Sequence, residues 1–249
     1  MKQLNKIHRT FIIKLSSFIL MVMRPVIIVM AKAPLPGLAK TRLSPPLDQS
    51  DAASLALCLL QDVVKSALDI TQNVIVAFTP AEGRAVLEAS LPDNLHWVEQ
   101  QGKHLGDRLI SAITHADNLG FSPIIVLGAD SPTLPSRFIE QACQMLTVGP
   151  ADVTLGPTAD GGYYLVGIRK PEPEIFQNIT WSSALTLEHT VRNINQLGLR
   201  LVTLEQWYDV DTFADLRCLD NELQSDEGAR TRAPATYSWL LGHTLSPLD

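Results

Sequence analysis

VIIVMAKAPLPGLAKTRL, residues 26–43, is the stretch on which the rest of the chain depends. It opens on Val26-Ile27-Ile28-Val29-Met30, an apolar run rich in β-branched residues, which predicts a strand buried on both faces of a parallel sheet. Pro34, Pro36 and Gly37 then end regular structure. The loop they make carries Lys32, Lys40 and Arg42 and no acid. A strand that runs into a glycine-containing basic loop ahead of a helix is a place where α/β proteins hold phosphate. Lysine offers a mobile point charge and arginine a planar fork of donors. An ordinary solvated surface loop has the same composition, so these residues alone leave both readings open.

Charge sharpens the contrast. The 249 residues carry a formal net charge of −6, but the first acidic residue is Asp48. Eight basic residues precede it, which leaves 12 basic against 26 acidic residues in the remainder. An acidic body argues against a general nucleic-acid surface and makes the basic loop a local anion site. Hydrophobic content of 46% supplies a large core, and 18% charged residues is too few for a disordered chain. Cys58, Cys143 and Cys218 lie far apart without metal spacing, which suits reduced thiols in the cytoplasm. The six histidines form no metal-binding pair.

Outward from the basic loop, strands alternate with helices. Helices are predicted over 49–68, 83–89, 105–117, 136–146 and 184–197, with another from Phe213. Strands are predicted over 73–78, 95–99, 123–127, 152–155, 163–168 and 200–204. The pattern implies an α/β fold, three-layered, with a mostly parallel central sheet and helices on both faces. Phe11 to Met23 is apolar but too short to span a bilayer comfortably, and no small-residue cleavage site follows it. Residues 1–23 are therefore expected to form an extension outside the fold, with Met21 or Met23 as the functional start; a membrane-surface anchor is the alternative. Residues 24–222 form the expected domain. Residues 223–249, where periodicity fades, read as a polar tail.

Three carboxylates stand out. Asp130 follows the clearest apolar strand, where open α/β sheets place ligands, and Gly128 permits close backbone approach. An Asx-turn would use the same residue locally. Asp209 and Asp211 follow the last strand. Mg²⁺ takes one or two carboxylates plus substrate phosphates, so Asp130 and Asp211 would share one ion if their strand ends converge. Thr212 and Asp215, however, have the spacing of a capping box, in which Asp211 would only favour a helix start. Gly156 to Tyr164 combines Asp160 with paired glycines, which suits either a ligand-facing loop or a tight hairpin. Trp181-Ser182 is a possible pocket wall or core. Gly106-Asp107-Arg108 opens a helix and carries little weight.

Four motifs in order, KAPLPGLAKTRL (32–43), GADSPTLP (128–135), GPTADGGYYLVGI (156–168) and DVDTFADL (209–216), closely resemble the bacterial family known as radical-SAM/selenodomain-associated transferase 1. This glycosyltransferase-like group is similar to the nucleotide-diphospho-sugar transferase superfamily, with a GT-A-like fold, and more distantly to molybdenum cofactor and 2-phospho-L-lactate guanylyltransferases. The resemblance covers about Arg24 to Leu219. It implies that Ala31, Lys32, Gly37, Lys40, Thr41 and Arg42 hold nucleotide phosphates. It implies Mg²⁺ or Mn²⁺ on Asp130 and Asp211, Asp130 and Lys40 as the catalytic groups, and Asp160, Gly161, Gly162 and Tyr163 facing the acceptor. The loop lacks the glycine-rich guanylyltransferase signature, and Asp130 lacks the paired DxD of many glycosyltransferases. The expected activity is metal-dependent transfer from a nucleotide donor to a small acceptor, leaning to nucleotidyl transfer. Glycosyl transfer from a nucleotide sugar is the alternative, followed by a non-catalytic nucleotide-binding module. No stable membrane insertion is expected.

Overall fold

In the computed structural model, which describes residues 23–245, the run at Val26 is the middle of the sheet. The strands are β1 (Val26–Lys32), β2 (Val74–Thr79), β3 (His96–Glu99), β4 (Ile124–Gly128), β5 (Val153–Pro157), β6 (Tyr163–Ile168) and β7 (Leu201–Thr203). They order as β3-β2-β1-β4-β6-β5-β7. Only β6 runs against its neighbours. The sheet is mostly parallel, as the alternation of predicted strands and helices requires.

The β1 residues show why its sequence is continuously apolar. Ile27, Val29 and Ala31 enter one core cluster, and Val26 and Ile28 enter the one on the opposite face. Each fully buried aliphatic side chain of this kind contributes about 1.5–3 kcal/mol relative to exposure. On the first face lie α1 (Gln49–Ile70), α2 (Arg84–Ser90) and α4 (Ser136–Thr147); on the second lie α3 (Leu105–Asn118) and α5 (Thr186–Gln196). Asp48 caps α1 by accepting from the Asp51 backbone N–H at 2.7 Å. Asp107 accepts from the backbone N–H groups of Lys103 and His104, so the Gly106-Asp107-Arg108 stretch serves helix capping.

The end of the chain departs from the sequence reading. Instead of a polar tail, residues 223–245 contain the last turn of α6 (Phe213–Ser225), then α7 (Glu227–Arg232) and α8 (Pro234–Leu241). Ala229, Ala233, Trp239 and Leu240 close a third apolar cluster with Leu55 and Leu59 of α1 and with Leu216, Leu219 and Leu223 of α6. Helices of six and eight residues are too short to display a clear 3.6-residue period. Their stability comes from packing on the outer side of α1. The expectations for residues 1–22 lie outside the described residues. Among those described, no helix is long and apolar enough to cross a membrane.

One ion pair ties the far edge of the sheet. The Asp152 carboxylate accepts from Arg200 Nε and Nη2, each at 2.8 Å, and from the Arg200 backbone N–H at 3.0 Å. The Arg200 side-chain bonds hold its pKa down at about 2. A carboxylate whose folded pKa is depressed adds stability above its unfolded value, near 3.8, and loses it as pH falls through about 2. Asp152→Asn should therefore melt below wild type at pH 7, with the gap narrowing below about pH 4 and closing as pH drops towards 2. A gap that stays constant with pH would remove the ion pair from the account.

Candidate functional site

The strand order creates the site. From β1 the chain proceeds to β2 on one side, while β4 lies on the other, so the loops after β1 and β4 separate at the same end of the sheet. Open α/β sheets bind ligands in such a crevice at the carboxyl ends of the strands. Here the crevice is a cavity of about 390 Å³. Lys32 reaches it from the end of β1, Lys40, Thr41 and Arg42 from the first loop, Asp130 from the second, Asp160 from the β5–β6 hairpin and Asp211 from the segment after β7. Met30, Ala56 and Leu60 are among its apolar lining.

Lys40 is the hub. It adopts left-handed backbone angles (φ 47°, ψ 40°) immediately before a 3-10 turn, Thr41–Leu43. This conformation is uncommon for a residue with a side chain and needs surrounding structure to hold it. The fully buried Leu43 supplies the anchor, and its N–H donates to the Lys40 carbonyl at 2.9 Å. The Lys40 ammonium lies 2.6 Å from Asp130 Oδ1 and 3.2 Å from Asp211 Oδ1, and donates to the Val210 carbonyl at 2.6 Å. Its side chain is 7% exposed, whereas those of Asp130 and Asp211 are 42% and 44% exposed. Burial alone would lower the Lys40 pKa; the charges of Asp130 and Asp211 outweigh it and raise it. The ammonium is thus locked in its charged form.

Both local alternatives for the aspartates are resolved by partners. The Asp130 carboxylate goes to Lys40, and its backbone carbonyl accepts from the Val210 N–H at 2.9 Å. Thr212 and Asp215 do form a capping box at the start of α6, and they do so without the Asp211 side chain. The Asp211 carboxylate is left to face Lys40 and Arg42, whose Nη1 is 4.0 Å from Oδ2. The β5–β6 segment is the hairpin that its turn residues suit, and it also delivers Asp160 to the cavity. Asp160 Oδ1 accepts from Thr158 Oγ1 at 2.6 Å and from the Gly162 N–H at 3.0 Å, which lowers its pKa. Gly161 must be glycine: its φ is 87°, and a Cβ there would sit 2.3 Å from the Ala184 carbonyl oxygen.

Several expected site residues stand elsewhere. Ala31 is fully buried in the core, and its carbonyl accepts from the Gln100 side chain. Gly37 borders a smaller hollow on the outer side of the basic loop, with Gln49 and Ala52. Gly161, Gly162 and Tyr163 do not line the cavity, and the Tyr163 hydroxyl is buried, which raises its pKa. Of the Trp181-Ser182 pair, Ser182 lines the cavity and Trp181 packs against Gly106.

A set of supporting contacts lay beyond reach of the sequence. Ser131 Oγ donates to the Asp209 carboxylate. Burial pushes the Asp209 pKa up to about 6, with the charges of Asp130 and Asp211 adding to the rise and the Ser131 bond opposing it. Below this pair, Thr133 Oγ1 donates to Glu222 Oε2 at 2.9 Å and Tyr208 donates to the same carboxylate. Arg232 Nε donates to the Thr133 carbonyl at 2.8 Å. These bonds fasten the loop after β4 to α6 and α7. Their partners lie up to 99 residues apart, so no local pattern announces them.

The architecture and the family follow from comparison with known proteins. A protein from Desulfovibrio desulfuricans G20, provisionally named a nucleotide-diphospho-sugar transferase, superposes with a TM-score of 0.80 at 30% identity, over 88% of this chain and 95% of its own. Residues 63–183 match the bacterial family described as "Uncharacterized protein conserved in bacteria (DUF2064)". The chain belongs to this family. The wider fold extends to CMP:2-keto-3-deoxy-manno-octonic acid synthetase complexed with CTP (TM-score 0.54, 16% identity, 79% of this chain and 96% of that one). It also includes 4-diphosphocytidyl-2C-methyl-D-erythritol synthase from Anaerococcus prevotii DSM 20548 (TM-score 0.54, 10% identity, 83% and 98%). Likeness at these identities concerns the fold alone. No curated protein matches this chain in sequence.

Asp130 and Asp211 are the carboxylates of this cavity that could hold a divalent cation. Asp130 and Asp211 already hold positive charge between them, and both are open to the cavity. No group of three or more His, Cys, Asp or Glu that could cage a metal occurs among the described residues. Two carboxylates, with phosphates and water completing the shell, suit Mg²⁺ or Mn²⁺ rather than an ion that needs a full set of protein ligands.

Proposed function

We propose that this protein is a nucleotide-dependent transferase, within the radical-SAM/selenodomain-associated transferase 1 group, that transfers a nucleotidyl group from an NTP to a small acceptor. The observation that carries the proposal is the meeting of Lys32, Lys40 and Arg42 with Asp130 and Asp211 in one cavity at the carboxyl ends of β1 and β4. Mg²⁺ or Mn²⁺ would be held by Asp130 and Asp211 and would supply electrostatic stabilisation of the phosphates. Lys40 and Arg42 bind and orient the triphosphate. An acceptor oxygen then attacks the α-phosphorus, forming one P–O bond as the bond to the β-phosphate oxygen breaks and pyrophosphate leaves. The protein's share of catalysis is positioning and charge stabilisation by groups already in place. Asp160, in the same cavity, binds acceptor hydroxyls. Because α7 and α8 brace α1, which lines the cavity through Ala56 and Leu60, the working unit extends past residue 222. Three free cysteines suit work in the cytoplasm.

A thermal-shift screen with the four NTPs and common nucleotide sugars, with and without Mg²⁺, tests the donor, since a ligand that binds only the folded state raises the melting temperature. Product analysis then decides the reaction. Pyrophosphate release supports nucleotidyl transfer. Nucleoside diphosphate release would support glycosyl transfer instead, the reading favoured by the provisional name of the Desulfovibrio relative. Saturable binding without turnover over a broad acceptor panel would leave a nucleotide-binding module.

Arg42 supplies a graded test. Its side chain is 73% exposed and only 4.0 Å from Asp211, so it is free to swing to a phosphate. Arg42→Ala should weaken nucleotide binding by about 1.5–3 kcal/mol, the scale of a hydrogen bond to a charged group. Titration calorimetry that finds unchanged affinity would take Arg42 out of the site.

A further inference from the structure

The Lys40 ammonium occupies the place between two carboxylates that a divalent cation would take. It is 2.6 Å from Asp130, 3.2 Å from Asp211 and 2.6 Å from the Val210 carbonyl, with a side chain 7% exposed. A divalent cation bound by Asp130 and Asp211 cannot share this position with an ammonium at such distances, because two positive centres would then compete for the same oxygens. The chain also has somewhere to send Lys40. The residue sits in the wall of the cavity, next to Lys32 and Arg42, and its stem is long and flexible.

We propose that Lys40 is an internal stand-in for the divalent cation: it holds Asp130 and Asp211 together in the free protein and must leave them when the metal enters. This deepens the reading of the site given above and rests on it for the identity of the metal. Without a donor, a metal ion has to displace a buried ammonium from both of its carboxylate partners. With a polyphosphate in the cavity, Lys40 exchanges its carboxylate partners for phosphate oxygens. Lys40 thus couples metal entry to donor entry and keeps the empty site from filling with free metal. It also keeps two close carboxylates from repelling each other in the free protein.

The test is direct binding of free Mn²⁺, followed by loss of the free-ion electron paramagnetic resonance signal, on the metal-stripped full chain without nucleotide. Lys40→Met and Lys40→Gln should each bind Mn²⁺ more tightly than wild type by about tenfold or more, the equivalent of one charged hydrogen bond. Adding Asp130→Asn to Lys40→Gln should abolish the gain. Affinity that is unchanged or weaker in both Lys40 variants would overturn the proposal. Wild-type protein provides a check that does not depend on how the variants fold. Reductive methylation of Lys40, read by mass spectrometry, should accelerate at saturating Mn²⁺, and an unaltered rate would also overturn it. The donor reading fails separately. Tighter Mn²⁺ binding by the variants with no nucleotide-induced shift in wild type would leave the stand-in role and remove the nucleotide. A nucleotide shift in wild type with unaltered Mn²⁺ affinity in the variants would do the reverse.

Discussion

Asp130→Ala is expected to abolish Mg²⁺-dependent nucleotide binding while the protein still unfolds in one cooperative transition. Asp130 follows β4 at the rim of the cavity rather than in the core, and its side chain is 42% exposed. Its removal does not strand the buried Lys40, which keeps Asp211 at 3.2 Å and the Val210 carbonyl at 2.6 Å. The backbone bond from Val210 N–H to the residue 130 carbonyl is indifferent to the side chain. In the proposed site the metal, by contrast, would lose one of its two protein ligands. The expected weakening of Mg²⁺-dependent binding is at least about a hundredfold, the upper end of what supporting residues around a metal cost when mutated. Thermal shift with and without Mg²⁺ measures it. Loss of cooperative unfolding in the variant would make Asp130 a structural residue instead.

Asp62→Ala should cost the fold more than any substitution at the rim, about 3 kcal/mol, with the cavity residues untouched. Asp62 lies on α1 and is 1% exposed. Its two carboxylate oxygens accept from the Ala235 N–H at 3.0 Å and the Thr236 N–H at 2.8 Å, at the start of α8. The first N–H groups of a helix have no partner within it, so a carboxylate on a neighbouring helix serves as the cap. Alanine would take the acceptor from both donors, of which Thr236 is fully buried, and an unsatisfied buried group costs about 1–3 kcal/mol. Asp62→Asn keeps one acceptor oxygen and should lose less. Urea unfolding compares the three proteins. A loss under about 1 kcal/mol for Asp62→Ala would mean that water reaches the helix start and replaces the carboxylate.

Much of the fold was legible because its strands are short, strongly apolar and punctuated. Val26–Met30, Asn73–Phe78 and Pro123–Leu127 each combine β-branched residues with a clear stop, and each is a strand within a residue or two of the expected ends. The position of Asp130 at the cavity was legible by the same logic, since a carboxylate that follows such a strand is displayed at the edge of the sheet. The site residues that went elsewhere did so for a reason of scale. Ala31 and Lys32 are adjacent in sequence, but successive strand residues point to opposite faces, so Lys32 reaches the cavity and Ala31 the core. At Tyr163 the hairpin delivers Asp160 to the cavity and turns the phenol inward.

By itself, then, the sequence determined the inventory: seven strands, the helices between them, a basic loop after the first strand, and acids after the fourth and seventh. These follow from local hydrophobic period and turn chemistry, which act over a few residues. Only the tertiary structure decided that Lys40 lies between Asp130 and Asp211, that Ser131 grips Asp209, and that the last two short helices are built onto α1. Those contacts join residues 78 or more positions apart. Their energies depend on burial and on opposite charges being brought within about 3 Å, and no local pattern encodes that.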